Sequence, residues 1–194
     1  MAPLPMSAHI AKQLGALSDL ALGMAGQSAK IQRIAERYVE TLKQGGTLFF
    51  AGNGGSAADA QHLATEYVVR YDAERRPFAA LALTTDTSLI TAAGNDIGFS
   101  EVFARQIRAL GRPGDLLVVH STSGKSENLV RAAEAARQRQ LGTVGFLGKG
   151  GGKLGPSVDL ALVVPSNVTS HIQEIHLAVQ HIIVELVEQM MQPV

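Results

Sequence analysis

Apolar positions recur at helical spacing twice in the first 45 residues. Ile10, Leu14, Leu17 and Ala21 predict a helix over 7–25, and Ile31, Ile34, Tyr38 and Leu42 a second over 28–44, ended by Gly45 and Gly46. The pattern then changes. TLFFAG (47–52) is a short apolar run closed by glycine, as a strand buried on both faces would be. ALAL (80–83), DLLVVH (115–120), GTVGFL (142–147) and DLALVV (159–164) are further strands of this kind. Helical patterns fill the intervals over 56–70, 87–94, 99–110 and 126–140, and a long one closes the chain over 171–191. This alternation predicts an α/β fold: a three-layer sandwich with a five-stranded parallel sheet, helices on both faces, and two helices before it. Polar clusters gather near residues 52, 84 and 120. These are carboxyl ends of strands, where open α/β sheets bind ligands.

Composition narrows the class. The chain has 194 residues, 46% of them apolar, which suits one domain spanning 1–194 with a helical extension over 1–45. A chain this long buries about 70% of its unfolded surface. Seventeen basic and 17 acidic residues balance, so no nucleic acid or anionic membrane surface is expected as a partner. The absence of Cys excludes disulfides, thiolate metal sites and a Cys nucleophile. No run reaches the ~18 apolar residues of a membrane span. The start, MAPLPMSAHIAKQLG, lacks the basic-then-apolar order of a secretory signal. A cytoplasmic protein is the expectation.

Two loops carry candidate chemistry. Gly52-Asn53-Gly54-Gly55-Ser56-Ala57 links a strand to a helix and fits G-x-G-x-x-A. The dinucleotide fingerprint also wants an acidic residue about 20 positions on. The only candidate, Asp86, lies 29 beyond Ala57, which argues against NAD. A ligand-contacting loop and a tight structural turn remain, and the former is preferred. Ser121-Thr122-Ser123-Gly124-Lys125-Ser126 follows DLLVVH and opens a helix. Its tail suggests a Walker A loop, but Val119 stands where that motif needs Gly. Four hydroxyls in six residues exceed the one that a helix cap requires. They suit a phosphate monoester, whose oxygens accept several hydrogen bonds at once.

A third group lies on two helices. His62 and Glu66 are four apart and share a face. Gln173, Glu174, His176, Gln180 and His181 interrupt the apolar pattern of the last helix. His and carboxylate suit a divalent ion or acid–base work. On spacing alone, a polar face with one or two buried, hydrogen-bonded His is an equal reading.

AGNGGSAADAQHLATE, TAAGNDIGF, HSTSGKS and IQEIHLAVQH, in this order, resemble the sugar isomerase (SIS) domain and, within it, the phosphoheptose isomerases. The resemblance covers nearly the whole chain. It implies a SIS fold, flavodoxin-like or Rossmann-like, whose N-terminal helices serve oligomerisation. It implies conversion of D-sedoheptulose 7-phosphate to D-glycero-D-manno-heptose 7-phosphate, the first step toward nucleotide-activated heptose for lipopolysaccharide or other surface glycans. It further implies a cytoplasmic homotetramer with one zinc per subunit. Residue by residue, it puts His62, Glu66, Gln173 and His181 at zinc-ligand positions, with Glu66 and His181 also the catalytic acid and base. Substrate contacts fall to Asn53, Gly54, Gly55, Ser56, Glu66, Arg70, Asn95, Asp96 and Gln173, and the phosphate cradle to Ser121, Thr122, Ser123 and Ser126. His120, Ser170 and His171 stand where the family pattern differs or varies.

Two rival readings use the same fold. A non-catalytic branch that binds the replication initiator protein lacks the helix Glu and the last-helix His, whereas this chain has Glu66 and His181. A sugar-phosphate-sensing regulatory domain usually accompanies a DNA-binding domain, and residues 1–45 contain no basic recognition segment. The enzyme is preferred to both.

Overall fold

Leu48–Gly52 (β1), Leu116–Ser121 (β3) and Gly142–Leu147 (β4) are buried along their whole lengths, as unbroken apolar runs in a parallel sheet should be. Ala80–Ala82 (β2) and Leu160–Val163 (β5) are only partly buried and form the two edges. These assignments come from a computed structural model that describes residues 5–192, so residues 1–4 and 193–194 of the expected domain lie outside the described residues. The sheet is fully parallel with order β2-β1-β3-β4-β5. The chain therefore winds one way from β1 to β2 and the other way from β3 onward. The crevice between the ends of β1 and β3 is the switch point at which such sheets bind ligands.

Alternate strand residues feed two cores. Phe50, Val118 and Phe146 pack with Tyr38, Leu63, Tyr67, Ile175 and Ile183 from Ser28–Lys43 (α2), Gly55–Val68 (α3) and Thr169–Met191 (α7). Phe49, Leu117 and Val119 pack with Phe103, Ile107, Leu129 and Ala133 from Val102–Leu110 (α5) and Glu127–Gln138 (α6). Thr87–Asp96 (α4) follows β2 and is capped by the Asp86 carboxylate, which accepts the Leu89 N–H at 2.9 Å. The expected three-layer sandwich is thus present.

Several boundaries differ from the sequence reading by one to three residues, and three of them have a visible local cause or consequence. Met6–Gly23 (α1) stops two residues early and passes into a 3₁₀ turn, Met24–Gln27, so that α1 and α2 are nearly continuous. The helix expected from 99 begins at Val102, because Gly98 at φ 94° turns the chain into a 3₁₀ turn, Phe99–Glu101. The helix expected to reach 140 ends at Gln138, and Gln140 takes a left-handed φ of 61°. α1 buries no residue, and Ile10, Leu14 and Leu22 are exposed. Among the described residues no helix is long and apolar enough to cross a membrane.

The far end of α7 is fixed by charge. The buried Glu188 carboxylate accepts the N–H groups of Tyr71, Asp72 and Ala73 at 3.0, 3.1 and 2.9 Å, and the Arg75 Nε–H at 2.7 Å. The Arg75 guanidinium in turn lies 4.1 Å from the Phe78 ring centroid.

Candidate active site

The phosphate-type loop leaves β3 and closes on itself. Ser121 Oγ accepts the Gly124 N–H at 3.0 Å, and Ser123 Oγ accepts the Lys125 N–H at 3.2 Å. Ser126 occupies the N-cap of α6, yet its side chain makes no capping bond. The cap explanation of these hydroxyls therefore does not describe Ser126, and a hydroxyl at the helix N-terminus is left for an anion. Gly124 has φ 63°, and a side chain there would collide with the Gly151 carbonyl. The segment 148–152 thus backs the loop, with Lys149, Gly150, Gly151 and Gly152 all at positive φ. This second glycine run, GKGGGK (148–153), lies outside the expected site segments, although its composition marks a turn against close backbone.

The first loop is joined to the second. The Asn53 and Asn128 side-chain amides exchange two hydrogen bonds, at 3.0 and 2.8 Å. Asn128 lies in the first turn of α6, two residues beyond Ser126, and sequence reasoning missed it. The amide pair spans the switch point and fixes the spacing of the two loops. Gly54 has φ 56°, and Ser56 is buried at the start of α3.

α7 runs parallel to α3 with matched advance. Gln173 Nε2 would lie 2.5 Å from a Cβ at Gly55, so this glycine makes room for that amide. Two turns further on, His181 meets His62, with Nε2 atoms 2.9 Å apart. His62 Nε2 is also 3.3 Å from Glu66 Oε1. Two imidazole nitrogens at 2.9 Å share one proton, so only one of them carries it. Partial burial, with His62 adding to it, holds the His181 imidazole below its ordinary value against the opposing pull of Glu66. The Tyr71 ring stacks on His181 with centroids 5.5 Å apart, a contact with no local sequence signal.

The structure brings His62, Glu66 and His181 together in one chain, but it does not place all of the expected residues there. α7 is regular from Thr169, so Gln173 and His181 are separated by about 12 Å along the helix. Gln173 therefore stays at the first loop. Arg70 pairs with Glu74 at 2.8 Å on the exposed turn after α3. Asn95 donates to Asp96 at 2.8 Å at the exposed end of α4, where Asp96 borders a shallow cavity with Leu89 and Arg105. His176 matches the plainer reading: it is a buried core histidine, its Nε2 3.2 Å from the Leu147 carbonyl, and burial pushes its imidazole down to about 4.

Two imidazole nitrogens and a carboxylate oxygen are suitable donors for zinc. Tetrahedral ligands at about 2.0–2.1 Å lie roughly 3.3 Å from one another, and the 3.3 Å between His62 and Glu66 matches this. The histidine nitrogens, at 2.9 Å, are closer than this, at hydrogen-bond distance. Among the described residues no ready-made cage of three or more such side chains is formed. The donor set fits in kind, and in spacing at the His62–Glu66 pair.

Comparison with known proteins identifies the family. The SIS domain family model matches residues 16–148. The phosphoheptose isomerase of Roseiflexus sp. is 54% identical over 84% of this chain and 82% of its own length. That of Akkermansia muciniphila is 48% identical over 94% of this chain and 97% of its own. The solved phosphoheptose isomerase from Francisella tularensis superposes with a TM-score of 0.92, 34% identity, and coverage of 96% of this chain and 100% of that one. For the Neisseria gonorrhoeae enzyme the values are 0.85, 39%, 94% and 96%. With its parallel sheet, its paired loops at the switch point and these relatives, the chain belongs to the phosphoheptose isomerase family of SIS-domain sugar-phosphate isomerases.

Proposed function

We propose that this enzyme converts D-sedoheptulose 7-phosphate to D-glycero-D-manno-heptose 7-phosphate in the cytoplasm, the first step toward nucleotide-activated heptose for lipopolysaccharide or other surface glycans. The observation that carries the reading is the meeting of His62, Glu66 and His181 beside a hydroxyl-rich loop at the switch point. The open-chain ketose gives up a proton at C1, and O2 gains one, yielding an enediol. C2 then receives a proton as O1 releases one, yielding the aldose. Glu66 and His181 divide these transfers, a carboxylate and an imidazole being complementary proton carriers. Ser121, Thr122, Ser123 and Ser126 hold the phosphate, and Asn53 with the Gly54–Ser56 backbone orients the sugar. The presence of both Glu66 and His181 disfavours a non-catalytic binding role.

A zinc ion held by His62, Glu66 and His181 would polarise the substrate carbonyl and stabilise enediolate charge. Since α7 holds Gln173 two turns away, we assign the fourth position to Gln173 of the partner subunit. The assembly is a homotetramer. In support, α1 exposes its apolar residues, and an apolar groove of ≈ 310 Å³ runs between the α1–α2 junction and α7, lined by Met24, Ile31, Val179 and Ile182. Arg70, which pairs with Glu74, and Asn95 and Asp96, which pair with each other, are assigned to substrate across subunits.

Incubation with sedoheptulose 7-phosphate, beside a panel of pentose and hexose phosphates and with products identified by NMR, tests the reaction. Turnover of a pentose or hexose phosphate but not of the heptulose would overturn it. Ser121→Ala and Ser123→Ala should chiefly raise KM, since they remove phosphate contacts and no proton carrier; unchanged KM in both would reduce the loop to a structural turn. Metal analysis should find about one zinc per chain, with chelation lowering activity. Full activity of metal-free protein would remove the metal from catalysis. Light scattering should give about four times the 20.5 kDa chain mass. A fully active monomer would rule out shared sites.

A further inference from the structure

We propose that Gln180 and His120 are positioning residues, which tie the phosphate loop to His181 through a buried hydrogen-bond chain completed by Tyr38. The inference rests on the roles given above to His181 and to the loop at Ser121.

Tyr38 from α2, His120 from β3 and Gln180 from α7 meet inside the apolar layer, each with 0% of its surface exposed. Such positions are ordinarily filled by Leu, Ile, Val or Phe. Gln180 Nε2 lies 3.0 Å from His120 Nε2 and 3.2 Å from Tyr38 Oη, so both amide hydrogens have acceptors. Tyr38 Oη donates back to Gln180 Oε1 at 3.4 Å. For Nε2 of His120 to accept, its proton must sit on Nδ1. Burial, with His176 adding to it, pushes the His120 imidazole down to about 3, so the ring stays neutral and keeps its acceptor. Phe50 and Phe146 flank the ring at centroid distances of 6.4 and 5.2 Å, with interplanar angles of 20° and 23°. One ring orientation is thereby held.

The two ends of this chain are adjacent to the chemistry. Gln180 immediately precedes His181, and His120 immediately precedes Ser121. The hydrogen bonds fix both the rotation and the height of α7 relative to β3. An apolar pair of similar volume would fill the space without choosing a register, because dispersion has no preferred direction. A small rotation of α7 would carry His181 away from His62 and Glu66, and misplacement by about 1 Å costs as much as ~100-fold in rate.

Gln180→Leu and His120→Phe remove the bonds while retaining bulk. Each should lower kcat about 10–100-fold with native far-UV circular dichroism and a KM within about twofold of wild type. The double variant should be no slower than the slower single one, because both break the same chain. His120→Gln, which restores an acceptor within reach of Gln180, should recover most of the rate. In substrate-free protein the His181 ring resonance should shift in Gln180→Leu and return toward its wild-type position in no variant lacking the amide. Wild-type kcat in Gln180→Leu, or losses that multiply in the double variant, would overturn the proposal. If Gln180→Leu does not fold, the comparison of His120→Phe with His120→Gln decides. If wild-type protein turns over no sugar phosphate, the proposed reaction fails, while an unmoved His181 resonance still sinks the positioning role separately.

Discussion

Glu66→Gln and His181→Ala will each lower kcat by about 10²–10⁴-fold, the usual loss when a proton carrier is removed, and will leave the fold intact. Both side chains lie at the α3–α7 contact and are only partly buried, so neither substitution opens a core cavity. Glu66→Gln keeps shape and one acceptor oxygen but cannot take a proton. His181→Ala removes the ring that His62 faces at 2.9 Å. The losses should not multiply in the double variant, since the two groups act on one proton path. Steady-state kinetics with circular dichroism on each purified variant provides the check. Near wild-type turnover in either would remove that residue from the chemistry.

Glu188→Leu is expected to destabilise the fold by about 3–5 kcal/mol, the range for breaking a buried ion pair from one side. The substitution would strand the Arg75 guanidinium and leave three backbone N–H groups without an acceptor. Burial alone would raise the Glu188 carboxyl, yet those three N–H groups and Arg75 hold it below the ordinary glutamate value of 4.5. A depressed carboxylate stabilises the fold above its unfolded value. The contribution is present in full well above pH 4.5 and is lost as the pH falls toward the lower folded value. Urea unfolding at pH 7 should show the full difference between wild type and variant, and at pH 3 a smaller one. Equal midpoints at pH 7 would show that the anchor adds nothing.

The sheet was readable from sequence because its inner strands are buried on both faces, so that LFFAG and LLVVH announce themselves without partners. The two loops were readable for a related reason: glycines and hydroxyls between a strand and a helix are local chemistry. What stayed hidden was contact between distant segments. Asn53 and Asn128 are 75 residues apart, and Tyr38 and Gln180 are 142 apart. Asn128 alone looks like an ordinary polar position, and Tyr38 like one more member of an apolar stripe. Glu188 has no local pattern that sets it apart in the last helix, although three N–H groups of a turn over 100 residues earlier converge on it. Gln173 shows the converse: the resemblance grouped it with His62, Glu66 and His181, and the pitch of a straight helix keeps it at Gly55 within its own chain.

α7 tolerates replacement far better than it tolerates a change of length. Within 16 residues it must present Gln173 to Gly55, Gln180 to His120, His181 to His62 and Glu188 to the turn after α3. Deleting one residue turns everything beyond it by about 100° and draws it back by ~1.5 Å. A deletion near Leu177 would thus swing His181 and Glu188 away together, removing the proposed proton carrier and the anchor in a single event. Divergence within this helix should therefore proceed by exchange of side chains, with insertions and deletions confined to its two ends.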